Sequence, residues 1–233
     1  MSSSTQLQER LNYVQGCIQK SAIKAGRNPK NVTLVAVTKA FPLEIWEQAI
    51  RVNLKTLGES RIQEAQEKVD TFNKRDKIEL HLIGHLQSNK VRKAVELFDV
   101  IQTVDTIKLA NRINSICKET SKKQSIFIQV NTGADPKKQG VSVENAILVA
   151  RKISKMKNLK LVGIMTIPAH NITQKELRLV YKKTRKIRDE ICIKINDQCK
   201  NISMGMSRDY EVAIAEGATH IRIGVGLFGD RPQ

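Results

Sequence analysis

Apolar and polar positions follow two different periods along this chain. Between Leu7 and Ala22 the apolar residues recur at every third or fourth position, which predicts an amphipathic helix at the start of the chain. Residues 32–38 then form a continuous aliphatic and β-branched run, which is typical of a strand buried on both faces in a parallel sheet. The two patterns alternate from there to about residue 225.

This alternation predicts eight strands with helices between them. Pro42 suits the first turn of a helix that runs through Ile50, and Asp105 or Thr106 suits the N-cap of a later one. Eight such units in 233 residues predict an α/β fold, a (β/α)8 TIM-type barrel with an extra N-terminal helix. No Gly/Ser-rich linker interrupts the pattern, so residues 1–233 are expected to form a single domain. The predicted strands are 32–38, 56–59, 79–84, 100–104, 125–131, 159–166, 201–206 and 220–225, with helices over 61–74 and 88–97.

The composition indicates a cytoplasmic protein. No stretch approaches the roughly 18 apolar residues that a membrane span needs, and the start of the chain lacks the apolar core of a signal peptide. The four cysteines, Cys17, Cys117, Cys192 and Cys199, include no C-x-x-C pair. Such scattered thiols favour a reducing compartment, where they act as small core residues.

The chain is strongly basic. It has 40 lysines and arginines against 23 aspartates and glutamates, a net charge of +17. Two basic stretches, 151–160 and 175–194, have helical patterns that place these charges on the outer faces of neighbouring helices. A nucleic-acid-binding surface can have this composition, but the sparse aromatic residues and the absence of a recognisable module favour a solvated face. We therefore expect no specific nucleic-acid partner.

Lys39 is the residue most indicative of chemistry. It directly follows the buried run 32–38, and an unpaired ammonium inside such a strand would cost several kcal/mol on the order-of-magnitude scale for buried ions. In a barrel of this type, functional side chains lie at the C-terminal ends of the strands. A partly desolvated amine at that position suits Schiff-base chemistry with an aldehyde. A lysine that only caps a strand and extends into water is the alternative.

The ends of the last two strands predict a phosphate site. Residues 203–207 bring small residues and the Ser207 hydroxyl, and residues 224–229 match G-x-G-x-x-G. Too few residues follow this motif for a dinucleotide-binding βαβ unit, whereas a phosphate turn that closes a barrel fits well. A plain C-terminal turn is the alternative. The other strand ends bring Glu59 and Ser60, then Gly84, His85, Gln87 and Asn89, and finally Met165 and Thr166 to the mouth.

Neither a metal site nor a hydrolase site is predicted. His81 and His85 are four residues apart, but no H-E-x-x-H motif is present and the pair straddles a strand end. Ser207 has no nearby histidine and no nucleophile-elbow motif. The acidic residues follow mostly helical patterns and are interpreted as solvated.

Several segments together resemble the pyridoxal phosphate homeostasis protein family, which shares its barrel with the N-terminal domain of alanine racemases. They occur in order along nearly the whole chain, so the resemblance is highly specific. The segments are LVAVTK (34–39), LGESRIQE (57–64), HLIGHLQSNK (81–90), GIMTIP (163–168), SMGMSRD (203–209), and IRIG (221–224) with LFG (227–229).

The resemblance implies pyridoxal 5'-phosphate as the cofactor, held on Lys39 as an internal aldimine. It implies that Arg222 faces the pyridine nitrogen of the cofactor. Because the arginine is a cation, it keeps that nitrogen unprotonated, and the ring is then a weak electron sink. The family usually has asparagine where this chain has Ser60, and serine or threonine where it has Val225. The first difference changes a contact near the ring, and the second removes a side-chain hydroxyl from the phosphate site. The implied phosphate ligands are Ser207, Gly224, the Val225 amide and Gly226, and the implied ring contacts are Ser60, Met204 and Met206.

The implied function is a non-catalytic protein of intracellular pyridoxal phosphate (vitamin B6) homeostasis, without catalytic residues. Apo forms of enzymes that use the cofactor are possible partners, and a monomer is expected. An amino-acid racemase is the alternative, but racemases add a C-terminal β-domain with a catalytic tyrosine that is missing here. Tyr13, Tyr181 and Tyr210 offer no clear replacement. A basic nucleic-acid-associated protein is the third possibility.

Overall fold

The computed structural model describes residues 3–136, 138–169 and 171–230, and these form a closed barrel of eight parallel strands. Neighbouring strands follow one another in chain order, and β8 pairs with β1 to close the barrel. The predicted (β/α)8 barrel is therefore confirmed. The strands are β1 Thr33–Val37, β2 Thr56–Glu59, β3 Glu79–Leu82, β4 Val100–Val104, β5 Gln124–Gln129, β6 Leu159–Met165, β7 Asn201–Met206 and β8 His220–Ile223.

Helices connect the strands around the outside of the barrel, and the predicted extra helix precedes the first strand. In the described part of the chain the connections also contain three short 3-10 helices, Pro29–Asn31, Arg75–Lys77 and Ser88–Lys90. The α-helices of the described residues are α1 Ser3–Lys24, α2 Glu44–Arg51, α3 Ile62–Thr71, α4 Val91–Leu97, α5 Ile107–Glu119, α6 Val143–Ile153, α7 Gln174–Lys194, α8 Tyr210–Ala215 and α9 Val225–Phe228.

The two faces of each strand have different environments. In the pairing of β1 with β8, Val35 lies opposite Arg222 and Ala36 lies opposite Ile223. Because successive side chains of a strand point to opposite faces, the first pair faces the barrel interior and the second pair faces the helices. Ala36 and Ile223 belong to the apolar core between strands and helices, which also contains the fully buried Trp46. This outer layer provides most of the hydrophobic burial.

Helix α1 covers the barrel beside its closing strands by packing against α8 and α9. The apolar face predicted between Leu7 and Ala22 is buried, as its spacing requires. Just after the helix, Arg27 donates to the carbonyl of Ile214 at 2.6 Å and to that of Ala218 at 2.8 Å. These bonds fix the beginning of the chain to the α8 region near its end.

Five of the strands, β1, β3, β5, β6 and β8, end one or two residues earlier than their apolar runs predict. β1 ends at Val37, and β8 ends at Ile223 and does not reach Val225. Gly224 is the N-cap of α9, so Val225 is the first residue of a helix. The period of the sequence does not reveal this change because α9 has only four residues.

None of the described helices has the length and the apolar character that crossing a membrane requires. The four cysteines are free thiols. Cys117 and Cys199 are buried, whereas Cys17 and Cys192 are half-buried.

Two histidines lie inside the barrel at the N-terminal end of the strands. The rings of His81 and His220 have centroids 6.0 Å apart, and Phe127 packs edge-on against His220 at 5.3 Å. Desolvation, assisted by His81, lowers the pKa of His220 to about 3. His220 is therefore neutral in the folded protein near pH 7.

Acidification should destabilise the fold through His220. Its pKa in the unfolded chain is about 6.5, so between that value and about 3 the unfolded state binds more protons at this site than the folded state does. The free energy of unfolding should therefore decrease by up to about 1.4 kcal/mol per pH unit as the pH falls through this range.

We expect His220→Phe to reduce this pH dependence, measured by urea unfolding at pH values between about 7 and 4. The matched control is His85→Phe, because the His85 side chain is 44% exposed at the other end of the barrel. An equal pH dependence in wild type and His220→Phe would contradict the role of burial at this histidine.

Candidate functional site

Lys39 lies in a turn at the C-terminal mouth of the barrel, two residues after β1 ends at Val37. It is half-buried. The Phe41 N–H donates to the Thr38 carbonyl at 3.2 Å and closes the turn. Ala40 within it has a φ of 62°, a left-handed conformation that costs a residue with a Cβ roughly 1–2 kcal/mol. Such a turn persists only where its surroundings hold it.

A buried polar cluster holds this turn from the outer side of the barrel. The Thr38 hydroxyl donates to Glu59 Oε1 at 2.7 Å, and the Trp46 indole N–H donates to Thr38 Oγ1 at 3.0 Å. Lys68 Nζ lies 2.7 Å from the same Glu59 oxygen and 3.0 Å from Glu64 Oε1. We call Thr38, Trp46, Glu59, Glu64 and Lys68 the outer cluster.

The prediction that Glu59 opens into the mouth is wrong. Glu59 is fully buried between the strands and helices α2 and α3, where Trp46 and Lys68 contact it. Desolvation raises the pKa of Glu59, and Lys68 opposes that rise. The next residue, Ser60, is only partly buried, as expected where successive residues of a strand alternate between faces.

Glycines create the space beside Ser207 where the turn after β8 begins. A Cβ at Gly224 would lie 3.2 Å from the carbonyl oxygen of Val37. A Cβ at Gly226 would lie 3.0 Å from Ile223 Cγ2 and 3.6 Å from Ser207 Oγ. A side chain at Gly224 would crowd Val37, and one at Gly226 would crowd Ile223 and Ser207. Glycines at such a turn leave backbone N–H groups open to a phosphate.

Two aromatic rings join the Lys39 turn to α9. The ring centroids of Phe41 and Phe228 are 5.5 Å apart, with an angle of 58° between the planes. Phe41 follows Lys39 by two residues, and Phe228 ends the helix that Gly224 caps. The structure therefore brings the predicted covalent residue and the predicted phosphate turn together at one side of the mouth.

Arg222 begins a chain of hydrogen bonds that crosses the barrel interior. Its Nη1 donates to Ser203 Oγ at 2.7 Å, and Ser203 donates to Gln102 Oε1 at 2.6 Å. Gln102 Nε2 in turn donates to His81 Nδ1 at 2.7 Å. The other ring nitrogen of His81, Nε2, lies 3.2 Å from Glu79 Oε2. The contact with His81 lowers the pKa of Glu79.

The same arginine is fixed a second time at the end of β6. Arg222 Nη2 donates to the Thr166 carbonyl at 3.1 Å, and the Thr166 hydroxyl bonds to Thr132 Oγ1 at 2.9 Å. Desolvation lowers the pKa of Arg222, but a guanidinium stays protonated in proteins. Arg222 therefore provides a buried cation held by two hydrogen bonds, one residue before β8 ends.

The two methionines predicted to contact the ring occupy different environments. Met204 is fully buried in the core between strands and helices. Met206 is half-buried and, together with Ser207 and Arg208, lines a cavity of about 640 Å³ between the loops after β6 and β7. The structure thus places Met206 in the same cavity as Ser207 and buries Met204 in the core instead.

The loops after β2 and β3 touch at Ser60. A Cβ at Gly84 would lie only 2.1 Å from the Ser60 carbonyl oxygen, so only glycine permits this approach. His85 follows at the surface, with its Nδ1 3.6 Å from Asp105 Oδ2. Within residues 3–136, 138–169 and 171–230, no group of three or more histidine, cysteine or acidic side chains is arranged to hold a metal ion.

Sequence reasoning missed the polar residues that support the site. Glu64 is among the acidic residues whose helical pattern indicates a solvated face, and Lys68 on the same helix gave no separate indication, yet Lys68 is buried. Gln102 and Ser203 lie inside predicted strands and gave no separate indication. The signal that could have revealed Gln102 and Ser203 is a polar side chain at a strand position that faces the barrel interior.

Comparison with known proteins defines the class. The family model described as the alanine racemase N-terminal domain matches residues 20–232. An alanine racemase from Clostridium difficile has the same fold with a TM-score of 0.72 at 18% identity, covering 98% of this chain and 58% of that one. By fold, the protein is an alanine-racemase-type barrel.

Closer relatives identify the family. The chain is 37% identical to a pyridoxal phosphate homeostasis protein of Aquifex aeolicus over 223 residues, which cover 96% of this chain and 97% of the relative. The corresponding protein of Schizosaccharomyces pombe is 31% identical, with coverages of 95% and 94%. The chain belongs to the pyridoxal phosphate homeostasis protein family, as its motifs predict.

Solved structures agree with this assignment. A protein of unknown function from Bifidobacterium adolescentis superposes with a TM-score of 0.93 at 32% identity, covering 97% of this chain and 96% of that one. PipY of Synechococcus elongatus, in a structure with pyridoxal phosphate bound, superposes with a TM-score of 0.84 at 31% identity, with coverages of 96% and 100%.

Gly84→Ala should destabilise the protein, because the new methyl group would collide with the Ser60 backbone. We expect a loss of about 1–3 kcal/mol in the free energy of unfolding, the range for overpacked sites. Gly16→Ala is the matched control. It lies inside α1 with nothing within 4 Å of the new Cβ, so it should add about 0.5–1 kcal/mol. Urea unfolding measures both, and equal effects of the two substitutions would contradict the tight approach at Gly84.

Proposed function

We propose that the protein binds pyridoxal 5'-phosphate and acts as a non-catalytic carrier of that cofactor in intracellular vitamin B6 homeostasis. The observation that carries the proposal is the Phe41–Phe228 contact, which joins the Lys39 turn to the glycine-lined turn after β8. An amine and a phosphate cradle at one side of a barrel mouth match the two ends of this cofactor. The family of the chain and the ligand in the PipY structure also support the proposal.

Each part of the cofactor has a candidate partner in this arrangement. When bound, the cofactor supplies an aldehyde that captures amines reversibly, and Lys39 provides the amine. Ser207 and the turn Gly224–Gly226 would bind the phosphate through one hydroxyl and backbone N–H groups. Arg222, held by Ser203 and the Thr166 carbonyl, would face the ring nitrogen.

Arg222 also supports the non-catalytic part of the proposal. A guanidinium beside the pyridine nitrogen keeps that nitrogen unprotonated, because a second cation would be repelled. The hydrogen bonds to Ser203 and Thr166 leave the guanidinium little freedom to move away. A ring without a protonated nitrogen withdraws electrons weakly, and this disfavours carbanion chemistry.

Two site residues differ from the usual pattern of the family. Val225 is 49% exposed. Valine in place of serine or threonine removes the hydroxyl from the turn but keeps its backbone N–H. Ser60 is half-buried where its backbone meets Gly84, and it would contact the ring through a shorter side chain than asparagine has. We infer a weaker phosphate grip and a retained site, in which Met206 is the better placed of the two methionines.

Several finer points belong to the same proposal. We propose a single-domain monomer in the cytoplasm, with apo enzymes that need the cofactor as recipients. The exposed lysines of α7, such as Lys182, Lys183 and Lys186, lie on an outer helix and are proposed as a solvated face without specific nucleic-acid partners.

Lys39→Ala should abolish covalent capture of pyridoxal phosphate, because the variant lacks the amine that joins the aldehyde. We expect no borohydride-stabilised adduct by mass spectrometry and no visible absorbance band from protein-linked cofactor. Lys90→Ala, at the end of the 3-10 helix after β3, is the matched control and should form the adduct as wild type does. Wild-type capture by Lys39→Ala would overturn the assignment, and steady turnover of an amino acid that depends on Lys39 would favour a racemase.

The phosphate should contribute more to cofactor retention than the covalent link does. Charge-assisted hydrogen bonds are worth roughly 1.5–3 kcal/mol each, so pyridoxal without phosphate should bind at least tenfold more weakly. Gly224→Val should weaken phosphate binding more than Ser207→Ala, because its side chain would meet the Val37 carbonyl and block the backbone. Titration of both ligands against wild type and the two variants measures this. Equal affinities of pyridoxal and its phosphate would refute the cradle.

A further inference from the structure

The outer cluster contacts both peptide groups that flank Lys39. On one side, Lys68 Nζ donates to the Thr38 carbonyl at 3.0 Å. On the other side, the Ala40 N–H donates to Glu64 Oε1. The contacts come from residues 64 and 68 of one helix, α3, whose side chains also pair with each other at 3.0 Å. The backbone of Lys39 is therefore held before and after its Cα by one ion pair.

We propose that Glu64 and Lys68 are positioning residues that orient the Lys39 amine for capture of an aldehyde. This inference rests on the proposed function and adds residues that do not themselves touch the ligand. In the capture step the neutral Lys39 amine attacks the aldehyde carbon, a C–N bond forms and one water molecule leaves. The rate of this step depends on where the amine is held, because small displacements of a reacting group cost one to two orders of magnitude.

The burial of the cluster supports a positioning role more strongly than a surface ion pair could. The side chains of Lys68 and Glu59 are 6% and 0% exposed, and that of Glu64 is 20% exposed. Exposed ion pairs contribute little, whereas removing one partner of a buried pair is strongly destabilising. Lys68 also lies 5.7 Å from the centroid of the Trp46 ring, so the ammonium is enclosed on several sides.

The hydrogen bond from the Ala40 N–H to Glu64 stabilises a left-handed residue. Its φ of 62° is unfavourable for a residue with a Cβ, and the Ala40 N–H is the group that Glu64 accepts from. Without that acceptor the turn would relax toward common backbone angles and the direction of the Lys39 side chain would change. The phosphate cradle is built from other parts of the chain, Ser207 after β7 and the turn Gly224–Gly226 after β8.

The test separates capture from binding in the full-length protein. We would measure the rate of borohydride-trapped adduct formation with pyridoxal 5'-phosphate, and the affinity for 4'-deoxypyridoxine 5'-phosphate, which has a methyl group in place of the aldehyde. Glu64→Ala should slow trapping about tenfold or more and leave affinity for the deoxy analogue within twofold of wild type. Glu64→Gln, which retains an oxygen for the Ala40 N–H but loses the charge, should give an intermediate rate.

The matched control is Glu67→Ala, an exposed glutamate on the same helix, which should trap at the wild-type rate. Wild-type trapping by Glu64→Ala, or equal losses of trapping rate and analogue affinity, would overturn the positioning role. If Glu64→Ala does not fold, a wild-type rate in Glu64→Gln would overturn it and a several-fold decrease would support it. If wild type itself traps no cofactor on Lys39, the proposed function fails, and that outcome is distinct from the others.

Discussion

The enclosed ammonium of Lys68 is the interaction on which the geometry of the barrel mouth depends. It connects α3 to the end of β2 through Glu59 and to the end of β1 through the Thr38 carbonyl. Loss of one member of such a buried pair typically costs 3–5 kcal/mol, because the remaining charge has no partner. The cluster therefore ties the stability of this side of the barrel to the shape of the Lys39 turn. The effects on stability of a mutation in the outer cluster and of a mutation in the Lys39 turn should therefore not be additive.

The barrel has a second polar system with a different character. The chain from Arg222 through Ser203 and Gln102 to His81 lies inside the barrel, where other folds of this type place branched apolar residues. The hydrogen bonds of this chain fix the orientation of the side chains that they join. Apolar packing is left to the layer between strands and helices and to a small interior cluster of Val100, Phe127 and Met165.

The fold could be predicted from the sequence because it depends on periodicity. All eight strands were located, and the errors are at their ends, where a four-residue helix such as α9 leaves no periodic signal. Lys39, Ser207 and the glycine turn were predicted because residue type alone limits what they can do. Glu59 was misassigned because only the alternation of faces at the end of β2 decides whether it meets the mouth or the helices. Gln102 and Lys68 were missed because their meaning depends on partners that are distant in sequence.

The closure of the barrel by β1 and β8 has a consequence for folding. This seam joins strands that are far apart in the chain, so its loop-closure entropy is among the largest in the molecule, and such contacts form slowly. A ligand that is held by Lys39 in the turn after β1 and by the turn after β8 would link the two sides of this seam. Bound ligand would then slow the opening of the barrel and lengthen the lifetime of the folded state. The loaded and unloaded proteins would differ in their resistance to proteases even if their shapes were the same.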